Sequence, residues 1–258
     1  MCTKKLRLGF FCGLLVFGTA NAQDKILISD ARPRPPEIFA DEKTGAASGP
    51  WVTVLNEAAK KIGYSIQWRI VPFTRTLEDA KNGTTDIVPG IYIDDDRKNY
   101  MEFVGPVGTE HSPVRFLVLE GQEHQLKTYD DLKKLRIGIK RGSIYFPQFD
   151  QDKSIQRVAS QDDDNMVKML VAGRFDAMIV NNVEAASVAL ERNQVRGTAW
   201  ADYKPARAMP RYYGISKRTK HNVEVLVPAL TEVLKSMNKS GRIAEIYRLH
   251  GLNFKDWE

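Results

Sequence analysis

Residues 83–103 read GTTDIVPGIYIDDDRKNYMEF, and the order of signals in this stretch decides the fold. Gly83 follows a helix-like run, Thr76 to Asn82, in the position of a glycine that closes a helix in the left-handed conformation. Asp86-Ile87-Val88 is a short apolar strand, and Pro89-Gly90 is expected to stop it. Asp94-Asp95-Asp96 then offers carboxylates to the free N–H groups and positive end of a new helix. Arg97 falls in the first turn of that helix, near the carboxyl end of the strand. In open α/β sheets ligands bind at that end, and a guanidinium there is a fork for a carboxylate. A local surface pair with Asp94 or Asp96 is the competing reading of Arg97.

Upstream of this stretch the same grammar holds. Lys25 to Ser29 is an apolar strand, and 30–36 (DARPRPP) is extended, because each proline forbids helix around it. Trp51 to Ile62 has helical periodicity, with Val54, Leu55, Ala58 and Ile62 on one side. Tyr64 to Val71 alternates like a strand, and a Pro72-Phe73 loop leads into the Thr76–Asn82 helix. The order β, α, β, α, β implies a parallel sheet with helices on its faces.

Downstream, Val114 to Leu119 is a strand and the pattern restarts. A short helix from Tyr129 precedes a strand at 136–139 that ends in Arg141-Gly142-Ser143. A helix at 161–172, closed by Gly173, precedes a strand at 175–180 that ends in Asn181-Asn182. Val183 to Leu190 is helical, Tyr212 to Ser216 returns as a strand, and two helices follow, 223–237 and 242–249. Two α/β units therefore occupy one chain. Crossings near 112–116 and 207–213 would make a two-strand hinge, and a cleft between two hinged units is a natural ligand site.

The N-terminus carries a different message. Lys4, Lys5 and Arg7 precede an apolar run from Leu8 to Phe17, and Ala20-Asn21-Ala22 is a small-x-small cleavage site. This pattern predicts a secretory signal peptide over residues 1–22, cut after Ala22 and too short to span a membrane as a helix. Both cysteines, Cys2 and Cys12, lie inside it, so the mature chain is expected to hold no disulfide, thiol nucleophile or cysteine–metal site. Export without cysteines suits the bacterial periplasm. Removing the three basic residues of the signal from the net +6 leaves +3, too mild a charge to point to nucleic acid.

Several local patterns occur in the right order and spacing to resemble the amino-acid-type periplasmic solute-binding proteins of bacterial ABC importers. These are Gly83…Asp86, Gly90 followed by Arg97, Phe103…Pro106, Asp130-Leu132 before Arg136-Ile137-Gly138, Gly142-Ser143, the Gly173–Ala177 run, Tyr213-Gly214-Ile215, and Ser240-Gly241 before Ile243…Tyr247. The resemblance covers essentially the whole mature chain. It implies a two-lobed periplasmic-binding-protein fold, each lobe a mainly parallel sheet flanked by helices. Residues 23–113 and 209–258 would form the first lobe and 114–208 the second. It further implies a monomer that closes on a small-molecule ligand, passes it to a membrane permease, and uses no cofactor or metal.

What the resemblance implies for the site is specific. Arg97 would hold a ligand carboxylate, helped by the loop at Gly90 and Tyr92, where Tyr92 replaces the usual serine or threonine. The Gly142-Ser143-Ile144 turn would close over the carboxylate with backbone amides. Phe73, Arg75 and Arg34 would face the cleft. Asn181 stands where an aspartate usually holds the ligand's ammonium group, and an amide offsets the burial of a cation less well than a carboxylate does. Several cations and a missing anion favour an anionic or neutral polar ligand over an ordinary amino acid.

Two other outputs share this fold. The closed form could signal to a sensor kinase or chemoreceptor. A dehydratase-like enzyme would need acids and bases in the cleft, for which Asp94, Glu110, His111 and Glu184 are the candidates, although they form no tight constellation in the sequence. The four histidines lack metal-ligand spacing, and the two aspartate triplets sit at helix starts, where capping explains them.

Overall fold

The computed structural model describes residues 25–41, 43–252 and 254. The expected signal peptide and its cleavage site lie outside the described residues.

The chain opens with β1 (Lys25–Ala31), a small hairpin of β2 (Phe39–Ala40) and β3 (Ala47–Ser48), and α1 (Pro50–Lys61). Then come β4 (Tyr64–Ile70), α2 (Phe73–Asn82), β5 (Ile87–Ile91), the single-turn α3 (Asp95–Lys98) and β6 (Met101–Glu110). A second series runs β7 (Arg115–Leu119), β8 (Arg136–Lys140), α4 (Pro147–Gln151), β9 (Gln156–Ser160), α5 (Asp163–Val171), β10 (Ala177–Val180), α6 (Val183–Arg192) and β11 (Thr198–Trp200). The chain closes with β12 (Met209–Ser216), α7 (Val223–Lys239) and α8 (Arg242–Leu249).

These strands form two five-stranded sheets. The first has the order β4-β1-β5-β12-β6 and the second β11-β7-β10-β8-β9. In the first, β1 runs parallel to β4 and β5, while β12 is antiparallel to β5 and β6. In the second, β8 is parallel to β9 and β10, and β7 is antiparallel to β10 and β11. Because β12 pairs between β5 and β6, the chain returns to its first sheet after completing the second. The two sheets belong to two lobes, linked by the segments after β6 and before β12.

Each lobe has its own core. In the first, Trp51, Val54, Leu55 and Ala58 of α1 pack with Leu226, Leu230 and Leu234 of α7 and Ile243, Ile246 and Tyr247 of α8. The four-residue spacing of the three leucines keeps one face of α7 buried. Pro228, which lacks the N–H that would continue the ladder, lies on the exposed side of α7. In the second lobe the two faces of the sheet carry separate clusters, one around Phe116, Tyr145 and Phe149 and one around Met166, Leu170 and Phe175.

Two expectations are corrected, and a run the sequence left unassigned is placed. Pro89 and Gly90 do not stop β5, which continues to Ile91. The partner strand absorbs the break: β12 shifts register between Tyr212 and Gly214, and Gly90 takes a φ of +66°. Phe73 to Arg75 is not a loop but the first turn of α2. The run 103–106 lies inside β6, an edge strand, where Pro106 leaves no central ladder bond unmade. The sequence also left β9 and β11 unread, both edge strands whose side chains are largely half-buried or exposed.

Candidate functional site

Arg97 is placed by local chemistry. Asp94 caps α3, accepting from the Arg97 amide at 2.7 Å, and its other oxygen lies 3.3 Å from Arg97 Nε. Sequence alone posed ligand anchor and Asp94 partner as rivals; the structure makes Arg97 a partner of Asp94 that is also 3% exposed and aimed between the lobes. Its Nη1 donates to the Tyr92 carbonyl at 2.6 Å and its Nη2 to the Gly142 carbonyl of the other lobe at 2.7 Å. Burial pulls the Arg97 pKa down, and Asp94 opposes the shift.

The space in front of Arg97 is a narrow pocket of about 10 Å³, walled by Arg32, Phe73, Gly90, Ile91, Tyr92, Arg97, Ser143, Ile144 and Asn181. Seven of the residues singled out from the sequence therefore meet here, and Gly142 joins them through its bond to Arg97. The second-lobe turn presents its groups differently from expectation. Gly142 offers a carbonyl to Arg97, and the Ser143 amide donates to Lys140 at 3.0 Å. The Asn181 side chain reaches Ile144 O at 3.4 Å.

Arg75 is not in this group. On a helix, residues two apart point about 200° away from each other. Phe73 turns into the cleft, whereas Arg75 is exposed and pairs with Asp79 one turn on, at 2.8 Å.

Arg34 borders the site from behind. It pairs with Glu37 at 3.1 Å and Glu110 at 2.8 Å. Glu110 also accepts from Arg207 and from the Tyr92 hydroxyl, and Glu37 from Arg211. Three guanidiniums and two carboxylates, all buried, thus share one network at the end of β6 and the start of β12. Burial pushes the Glu110 carboxyl up, but Arg34, Arg211 and Arg207 outweigh it and hold it below the usual glutamate range. The four residues considered as acids and bases sit in different surroundings, His111 being exposed just after β6. Glu110 is committed to these guanidiniums, Asp94 to α3, and Glu184 is an exposed residue in the first turn of α6. Among the described residues, no group of three His, Cys, Asp or Glu could hold a metal ion.

Sequence reasoning missed Arg32. Its guanidinium carbon sits 3.7 Å from the centroid of the Phe73 ring, and Arg97 approaches the same ring at 5.8 Å. Among the described residues it has no ion-pair partner, and its buried Nη1 has no hydrogen-bond partner. Burial and then the charge of Arg34 lower its pKa to about 9, so it stays cationic at neutral pH. Both arginines of RPRPP look alike in sequence, and no local signal ranks one above the other.

A larger chamber of about 440 Å³ opens beside the narrow pocket, and Arg32, Phe73 and Asn181 line both.

The model of the family described as bacterial extracellular solute-binding proteins, family 3, matches residues 26–252. The L-cystine-binding protein TcyJ of Escherichia coli is 26% identical over 214 residues, covering 81% of this chain and 76% of that protein. A probable histidine-binding protein of Neisseria gonorrhoeae is 24% identical over 217 residues, covering 80% and 75%. Among solved structures, an ancestral arginine-binding protein bound to arginine superposes with a TM-score of 0.67 at 21% identity, covering 87% of this chain and 97% of that one. A histidine kinase sensor domain with similarity to periplasmic binding proteins gives 0.69 at 18% identity, covering 87% and 95%. At such identities the structures speak for the two-lobed fold alone.

Proposed function

This chain belongs to the bacterial extracellular solute-binding proteins, family 3, and from that premise we propose that it binds a small carboxylate-bearing molecule between its lobes, in the periplasm, for ABC-type import. The observation that carries the reading is Arg97, a buried cation at the junction of both lobes with bonds to each. We take 23–113 with 209–258, and 114–208, as the bodies that close, residues 1–22 as a cleaved signal, and the monomer as the working form. A carboxylate would compete with the Gly142 carbonyl for Arg97 and form a charge-assisted bond in its place.

Curated relatives are named for cystine and histidine. Here no carboxylate stands at Asn181, and arginines surround the pocket. This balance favours an anionic or neutral polar ligand over a zwitterion.

A thermal-shift screen of the purified protein against amino acids, carboxylates and small polyols tests the proposal. A ligand at about a hundred times its Kd adds roughly 2.7 kcal/mol of stability. A hit whose shift disappears in Arg97→Ala supports it, and a hit equally strong in that variant removes Arg97 as the anchor.

A further inference from the structure

Among the described residues, Arg32 is the cation in this site without an ion-pair partner, Asp163 acting on it only from beyond salt-bridge distance. Arg97 has Asp94, and Arg34 has Glu37 and Glu110. The charged residues of the 440 Å³ chamber are also engaged: Lys140 with Asp163, Arg192 with Asp164 at 3.1 Å, and Asp162 as the cap of α5. Arg32 instead lies on the Phe73 ring with Nη1 unbonded, on the wall common to the pocket and the chamber. A partly buried guanidinium in that condition gains from any anion that reaches it.

The chamber itself asks for something apolar. Ile70, Val71 and Pro72 form its first-lobe side, and Ala185 and Ala189 of α6 part of its second-lobe side. Phe39 and Val188, from opposite lobes, also line it and are 42% and 39% exposed. Large apolar side chains left facing water on both walls of a gap mark a place that a partner covers. The volume falls in the range of small-molecule sites, roughly 300–1,000 Å³.

We propose that the ligand is an organic acid with an extended, mainly apolar body, its carboxylate shared by Arg97 and Arg32, which face one ring and one pocket, and its body running past Phe73 and Asn181 into the chamber. This rests on the solute-binding reading above and adds the class of solute. An ammonium group next to the carboxylate is disfavoured, because Asn181 supplies no charge to balance it and Arg32 and Arg97 repel it.

Calorimetry on the purified protein, with 3-phenylpropanoate and heptanoate against propanoate, alanine and glutamate, tests this. The long-bodied acids are expected to bind at least about tenfold more tightly than the short ones. Arg32→Gln should weaken them about thirtyfold or more, and Arg32→Lys less. Val188→Trp, on an exposed face of α6, should fill part of the chamber and reduce the ratio of heptanoate to propanoate affinity. Tight binding of alanine or glutamate that is lost in Arg97→Ala but unchanged in Arg32→Gln overturns this inference and leaves the solute-binding reading standing. Binding of neither class to the wild-type protein overturns both.

Discussion

Arg97, in the first lobe, and Gly142, in the second, are joined by a hydrogen bond of 2.7 Å from the Arg97 Nη2 to the Gly142 carbonyl. The same guanidinium holds the Tyr92 carbonyl of its own lobe. The residue proposed to receive a carboxylate is therefore also a clasp between the lobes, with about 10 Å³ beside it. A ligand the size of an amino acid enters only as such clasps are released, so binding and opening are coupled through one side chain.

Replacing Arg97 with alanine is expected to weaken the cognate ligand by about 2–5 kcal/mol, the range for losing one partner of a desolvated charged pair. Calorimetry of wild type and variant against the same hit measures it. An unchanged Kd contradicts the assignment.

Glu110→Ala leaves Arg34 and Arg207 buried without their shared carboxylate. Breaking a buried pair from one side typically costs about 3–5 kcal/mol, and urea unfolding should show a loss of that order. The sign in pH follows from the depressed pKa of Glu110: its contribution is present above the ordinary glutamate range and lost as pH falls below it. Glu110→Gln should therefore flatten that part of the acid-unfolding curve; a curve parallel to wild type argues against the network.

Asp150 behaves in the opposite sense. Burial pushes its carboxyl up to about 6, against amide bonds from Tyr145 and Phe146 and the charge of Arg157. Between the ordinary aspartate range and pH 6 the folded chain holds a proton that the unfolded chain has released. Its contribution to stability is thus greatest at the acid end and falls as pH rises through that window. An NMR titration of the Asp150 carboxyl should show a midpoint near 6, and a midpoint in the ordinary aspartate range rules this out.

Asn182 serves two elements. Its Oδ1 caps α6 through Ala185 N at 2.7 Å, and its Nδ2 donates across the cleft to Pro35 O at 2.9 Å. Asn182→Ala should cost about 0.5–2 kcal/mol for the cap and also speed ligand release. Asn182→Asp keeps the cap but not the donor, so it should restore stability without restoring the slow off-rate. Stopped-flow release that is equal in Asp and Asn forms would assign Asn182 to capping alone.

Gly90→Ala should destabilise the first lobe. Its φ of +66° costs an L-residue roughly 1–2 kcal/mol. A β-carbon there would also run into the Arg211 guanidinium, which Glu37 holds in place. A thermal midpoint equal to wild type would show that β5 can relax around the methyl group.

Much of this was legible in the chain before folding. Gly83 closes α2 in the left-handed conformation, Asp94 and Asp162 cap helices, and the Arg97 amide falls where its cap needs it. Signals of this kind act over three or four residues, so they survive in a linear reading. The boundaries of β5 and β6 did not, because a proline breaks a strand only if that strand lacks an edge or a bulge to accommodate it, and those depend on the neighbouring strand.

The sequence by itself determined the order of the main strands and helices, the family and the Asp94 cap that places Arg97, since periodicity, caps and punctuating glycines are local in their physics. Tertiary structure alone decided what the arginines do. Arg32 and Arg34 stand two residues apart in the same proline-bounded run, yet Arg34 meets Glu37 and Glu110, the second of them 76 residues away, while Arg32 lies on the ring of Phe73. Coulomb attraction and desolvation depend on distance in space and on burial, and neither quantity exists along the chain until the first lobe has folded.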